Sequence, residues 1–124
     1  MQQPRVAKIL KKIHNSKPLL TMLKRMEMEP ITPDIMLNKI NASLSREVLT
    51  HHVVRKALTY LEEHIPNLDS RFFTVVHGDV NHNNWLLSDR DELFLVDWEG
   101  AMIADPAIDI GMLLYNLSLI HISE

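Results

Sequence analysis

Apolar side chains recur at Val6, Ile9, Leu10 and Ile13, the i, i+3, i+4, i+7 spacing of a single helical face. With Pro4 suited to a first turn, this predicts a helix over residues 5–14. Leu19 to Met26 predicts a second, shorter helix. Thr32-Pro33-Asp34 supplies a capping hydroxyl followed by Pro at the first helical position, and opens a helix through about Asn41. Ser45 is expected to cap a longer one that Pro66-Asn67 ends, with Leu49, Val53, Val54, Leu58, Leu61 and Ile65 as its buried stripe. After Asp69 the period changes. Phe72 to Val76 (FFTVV) is a β-branched and aromatic run of strand length, and NWLLS, then SDRDE, then LFLVD predicts two strands joined by a polar hairpin. Asp105-Pro106 starts a last helix whose apolar surface comes from Ile108, Ile110, Leu113 and Leu114, with Asp105 as its cap. The order is four helices, a strand, a loop, a hairpin and a helix, with no repeat or low-complexity linker, which predicts an α+β domain that is mainly helical.

Composition narrows what this domain can be. With 124 residues, 46% of them hydrophobic, the chain can bury a core. A formal charge of −3 lacks the basic excess of a general nucleic-acid binder. Zero cysteines exclude disulfides, thiolate catalysis and Cys-ligated zinc and fit a reducing compartment, while no apolar run reaches the length of a membrane span and no signal peptide is apparent. These features predict a cytoplasmic protein with no membrane partner. The basic start RVAKILKKIH reads as a solvated helix face in preference to a membrane-surface helix. Charge is laid out unevenly: seven basic residues precede the first acid, Glu27, whereas Asp79 to Asp109 holds eight acids against one base, Arg90. Clustered carboxylates repel unless they are solvated or bridged by a cation, so this half invites a metal ion.

The chemistry concentrates in HGDVNHNN, His77 to Asn84, wedged between VV and WLL. A loop at a strand end, held by Gly78 and flanked by packed apolar residues, is a rigid place from which side chains can project into a cleft. Asp79 is the reactive group. Asn84 supplies a neutral oxygen ligand, and Asp97 ends the strand LFLVD. Because the two hairpin strands are antiparallel, Asn84 and Asp97 are expected to lie side by side. A carboxylate and an amide oxygen beside a further Asp form a hard-oxygen site suited to Mg²⁺, which takes the rest of its shell from waters and phosphates. Phosphoryl transfer asks for this set: an Asp that accepts a hydroxyl proton, an Asn further on that binds metal, and a strand-end Asp that holds Mg²⁺ against the phosphates.

With HGDVNHNN, VDWEGA and DPAID in place, the sequence resembles the aminoglycoside phosphotransferase and choline kinase family, whose pattern is HGDxxxxN, a strand ending in DW or DF, and DPxxD. The resemblance covers roughly residues 6–116. It implies the mainly helical C-terminal lobe of a protein-kinase-like fold, with a small β-hairpin carrying the catalytic and metal-binding loops. It also implies an ATP-dependent kinase that transfers the γ-phosphate to a hydroxyl of a small molecule such as an aminoglycoside, choline or a related amino alcohol or sugar. By that resemblance Asp79 is the catalytic base or hydroxyl-orienting group, Asn84 and Asp97 are Mg²⁺ ligands, His77 and Gly78 support the loop, and Asp109 hydrogen-bonds the loop backbone from below. The family often has His-Pro-Gly where this chain has Asn81-His82-Asn83; Asn83 is expected to replace the Gly in a left-handed conformation. No role is assigned to His82.

Other readings compete. Asp79 could merely cap a turn, and His77, His82 and Asp79 also resemble an HxD-type hydrolase site for zinc or iron, with His51 and His52, expected mid-helix, as the remaining candidates for ligands. Trp85, Leu86 and Trp98 are expected in the core and not on a base-stacking platform. A non-catalytic kinase-like binding module is the alternative from another class. The chain has three glycines, none in a Gly-rich loop, so Met1 reads as an internal start with the nucleotide-clamping N-terminal lobe absent and residues 1–124 as a partial lobe that is inactive alone. The last residues, LSLIHISE (117–124), look like a translated transposase-end adapter, which implies that the native chain diverges after about Asn116.

Overall fold

The computed structural model describes residues 3–67 and 72–123. It is an α+β structure, mixing helices with two small antiparallel sheets. The chain forms two compact units, one of Met1–Pro30 with Phe72–Glu124 and one of Ile31–Arg71.

The first unit is built on the amphipathic pattern of the N-terminus. Helix α1 (Gln3–His14) buries Val6, Leu10 and Ile13 and keeps Lys8, Lys11 and Lys12 exposed. Helix α2 (Lys17–Arg25) begins at Ser16, whose hydroxyl accepts from the Leu19 N–H at 3.3 Å, so its start precedes the expected Leu19. It ends in a Schellman arrangement: Met28 N–H donates to Leu23 O at 3.3 Å and Glu27 N–H to Lys24 O at 3.0 Å, with Glu27 left-handed at φ 60°. Strand β1 (Thr74–Val76) pairs antiparallel with β4 (Met102–Ala104), Val75 opposite Ile103. The expected strand is therefore shorter by Phe72 and Phe73, and Phe72 stands 78% exposed. Strands β2 (Trp85–Leu87) and β3 (Leu93–Leu95) form the expected hairpin, Trp85 opposite Leu95. Its tip is closed by Ser88, whose hydroxyl accepts from Arg90 and Glu92 N–H, and by left-handed Asp91, whose carbonyl and carboxylate are both held by Arg5 of α1. Helix α6 (Ala107–Ser123) starts after Asp105, whose carboxylate accepts from Ala107 N–H at 2.8 Å. Side chains beyond Asn116 lie outside the described residues, and the predicted adapter-derived tail falls among them.

Val6, Leu10, Ile13, Leu23, Val75, Val80, Trp85, Leu95 and Ile103 make one apolar cluster. Val80 belongs to the polar loop, so its burial anchors that loop to the core. Trp85 is core as expected, but Leu86 on the opposite face of the hairpin is 52% exposed and Trp98 is 36% exposed. Strand alternation explains Leu86: with Trp85 inward, its neighbour must point out.

The second unit contains α3 (Pro33–Ser43), α4 (Arg46–Thr50) and α5 (His52–His64), ending in a 3-10 turn, Ile65–Asn67. The single long helix expected after Ser45 is broken at His51, which leaves the helix at ψ 128° and caps α5 through its ring Nδ1, the acceptor for Val53 N–H at 3.3 Å. His51 and His52 thus lie at a helix junction, stacked with ring centroids 5.0 Å apart. Of the expected buried stripe Leu58 alone is buried; Leu49, Val54 and Ile65 are half-buried, and Val53 and Leu61 are exposed.

Candidate functional site

The loop from His77 to Asn84 leaves β1 and enters β2, so both ends are held by paired strands. Gly78 makes the first turn possible. Its φ is +87°, and a Cβ there would lie 2.7 Å from the Gly100 carbonyl oxygen and 2.9 Å from the end of Met102. The loop backbone then turns back on a buried anion. Asp109, on the first turn of α6 and fully buried, accepts from His77 N–H through Oδ2 and from Gly78 N–H through Oδ1, both at 2.9 Å. Its Oδ2 also accepts from His14 Nε2 at 2.7 Å. Burial pushes this carboxyl up, but the His14 hydrogen bond, the two loop N–H groups and the His14 charge outweigh it and leave the group below its ordinary value of 3.8. His14 had no signal in the sequence: it looks like the last residue of a basic helix, and its partner lies far along the chain.

The His77 ring is fully buried and its two nitrogens are both used. Asp79 N–H donates to Nδ1 at 3.1 Å, which leaves the proton on Nε2, and Nε2 donates to the Val96 carbonyl at 2.9 Å. Trp98 packs edge-on against the ring with centroids 4.8 Å apart. His77 therefore ties the loop to the end of β3, the residue before Asp97. With both nitrogens occupied it cannot ligate a metal, and among the described residues no group of three or more His, Cys, Asp or Glu is placed to hold one. The HxD-type zinc or iron site is not formed.

Asp79 stands half-buried at the loop's apex. Asn84 donates through Nδ2 to the Asp79 carbonyl at 2.7 Å and to its Oδ2 at 3.0 Å. Two acceptors on one side settle the amide's orientation and leave Asn84 Oδ1 as a neutral oxygen donor. Asn81 donates through Nδ2 to Asp79 Oδ1 at 2.5 Å, and its own Oδ1 accepts from Asn83 N–H at 3.0 Å. Asn83 is not left-handed; it sits in a 3-10 turn, His82–Asn84, whose cap is Asn81. The positive φ values near the loop fall instead at Gly78 and at Asp97, φ 62°. His82 is exposed on this turn.

Asp97 is where the hairpin register departs from expectation. Val96 N–H donates to Asn84 O at 2.8 Å, so Asn84 lies opposite Val96 and not opposite Asp97. Asp97 lies two residues past the end of β3 with a left-handed backbone, exposed and without a hydrogen bond or ion pair among the described residues. The structure thus brings His77, Gly78, Asp79, Asn84 and Asp109 into one hydrogen-bonded network, which Asp97 joins only through its neighbour Val96.

The family model described as a phosphotransferase enzyme family matches residues 4–120. The chain belongs to this phosphotransferase family. In this phosphotransferase the donors that the loop presents around Asp79 are hard oxygens, the Asp79 carboxylate and the neutral Asn84 Oδ1, and oxygen donors of this kind fit Mg²⁺ and not a soft or nitrogen-seeking metal. Among the described residues no helix is long and apolar enough to cross a membrane.

Proposed function

We propose that this phosphotransferase is a small-molecule kinase of the aminoglycoside phosphotransferase and choline kinase type, and that the unit carrying the loop is the C-terminal lobe of a protein-kinase-like fold. The observation that carries the reading is the clamped carboxylate: Asp79 is held by amide donors on both oxygens at the apex of a loop fastened to β1, β3, α1 and α6. A carboxylate held this way is suited to orient an acceptor hydroxyl, or take its proton, for in-line attack on the γ-phosphate of ATP. Asn84 Oδ1 and the Asp97 carboxylate would hold Mg²⁺, which supplies neutralisation of charge on the phosphate oxygens when bound. His77, Gly78 and Asp109 keep the loop in register with β3 without touching the substrate. None of the three glycines lies in a Gly-rich loop, so the phosphate-covering lobe is proposed to come from sequence that continues this chain, and a cytoplasmic site of action goes with the use of ATP.

The reading is tested with the complete gene product by transfer of labelled phosphate from ATP to a panel of amino alcohols, sugars and aminoglycosides. Asp79→Ala and Asp97→Ala are each expected to lower turnover by roughly 10²–10⁴-fold, the span of a lost positioned acid-base group or charge-stabilising contact. Nucleotide affinity in the presence of Mg²⁺ should survive the first substitution better than the second. Turnover at the unsubstituted rate in either variant sinks the assignment.

A further inference from the structure

We propose that Asn81 is a positioning residue for phosphate transfer, acting through Asp79 by holding one oxygen of its carboxylate while Asn84 holds the other. The inference rests on the reading of Asp79 given above. A carboxylate at the end of a short side chain can rotate about its last bond, and a lone hydrogen bond leaves that rotation open. Here Asn84 Nδ2 fixes Oδ2 at 3.0 Å and Asn81 Nδ2 fixes Oδ1 at 2.5 Å, so the carboxylate plane is held at two points. Both donors are neutral amides. They orient the anion without adding a cation that would compete for the phosphates, and each oxygen keeps acceptor capacity for an incoming hydroxyl.

The Asn81 amide is itself held. Its Oδ1 accepts from Asn83 N–H at 3.0 Å, with the backbone extended at φ −68° and ψ 163°, so the side chain has only Nδ2 to offer Asp79. The same hydrogen bond caps the short turn His82–Asn84 that delivers Asn84. A single side chain thus builds the turn presenting Asn84 and grips the oxygen that Asn84 leaves open. Turn capping alone would need only an oxygen at position 81. Positioning of Asp79 needs the nitrogen as well, and substitution can separate these two requirements.

Asn81→Asp keeps the capping oxygen and removes the donor; Asn81→Ser keeps a capping hydroxyl too short to serve as that donor and adds no charge. In the complete gene product both are expected to lower kcat about 10- to 100-fold, the loss typical of a misplaced reacting group, with KM for ATP changed less than about twofold. The melting temperature should stay close to that of the unsubstituted protein in both. In an Asp79→Ala background neither substitution should lower the residual rate further, because the effect runs through Asp79. A crystal structure of the unsubstituted protein is expected to show the Asn81–Asp79 hydrogen bond, and one of Asn81→Asp the Asp79 carboxylate rotated away from residue 81. Unsubstituted kcat in Asn81→Asp overturns the inference, as does loss in Asn81→Asp alone, which would report charge repulsion, or an Asn81 amide turned to solvent. Full turnover in Asp79→Ala instead removes the reading of the loop itself, a result that the position 81 variants cannot mimic.

Discussion

Three residues in and beside the loop network are constrained for different reasons, and each carries a different sensitivity to substitution. Gly78 is the most constrained, because its φ is positive and the Gly100 carbonyl oxygen lies 2.7 Å from where a Cβ would stand, and both exclude a side chain. Gly78→Ala is expected to cost about 1–3 kcal/mol of stability, with the loop N–H groups pulled off Asp109. Chemical denaturation of the two proteins measures this, and an unchanged midpoint would mean that the strand end yields without strain. Asp97 is also left-handed, but Asp tolerates that region better than branched residues do, so the position can keep a carboxylate. Asp109 has no such backbone demand. Its constraint is electrostatic, since three donors converge on its two oxygens and a side chain with fewer acceptors leaves at least one of them buried and unpaired.

At the scale of elements, what was legible in the sequence was what is encoded locally. The apolar spacing of α1, the Thr32-Pro33 start of α3 and the polar tip of the β2–β3 hairpin are each set by residues within one or two turns of one another. Strand β4 carries no such local signal, because Met102-Ile103-Ala104 is too short to show alternation and its pairing with β1 spans the whole loop and hairpin. The break at His51 is equally silent in the sequence, because a histidine ring acting as an N-cap carries no Pro or Gly punctuation. His14 and Asn81 illustrate the same limit within the site: the first contacts a residue 95 positions away, and the second matters through where its two amide atoms point. The end of α2 is a local feature open to test. Glu27 occupies the left-handed position of a Schellman motif where glycine has no Cβ penalty, and Met28 beyond it packs on the core containing Leu23. Glu27→Gly is expected to stabilise the protein by about 0.5–1 kcal/mol, measured as a raised melting temperature, because strain relief exceeds the added freedom of the unfolded chain. A lower melting temperature would show that the Glu27 side chain contributes more than its backbone costs.

For the molecule as a whole, the Asp109 carboxylate joins elements from the beginning, middle and end of the chain. It receives α1 through His14, the loop through His77 and Gly78, and belongs to α6. Its effect on stability has a definite sign with pH. The folded-state value lies below the ordinary 3.8, so on acidification the unfolded chain takes up a proton before the folded one does. The contribution is complete above 3.8 and is lost as pH falls from there through the lowered folded value. Unfolding free energies measured from pH 7 down into this window should therefore decline more steeply in the parent protein than in Asp109→Asn. The variant starts lower, because an amide presents one acceptor oxygen where the carboxylate presents two, and one buried N–H loses its partner at a cost of about 1–3 kcal/mol. It has no proton to gain at this position, so the two curves should converge at low pH. Parallel curves would place the acid sensitivity on other carboxylates. In that case Asp109 would hold the loop by geometry, and its ionisation would add nothing to the linkage between folding and pH.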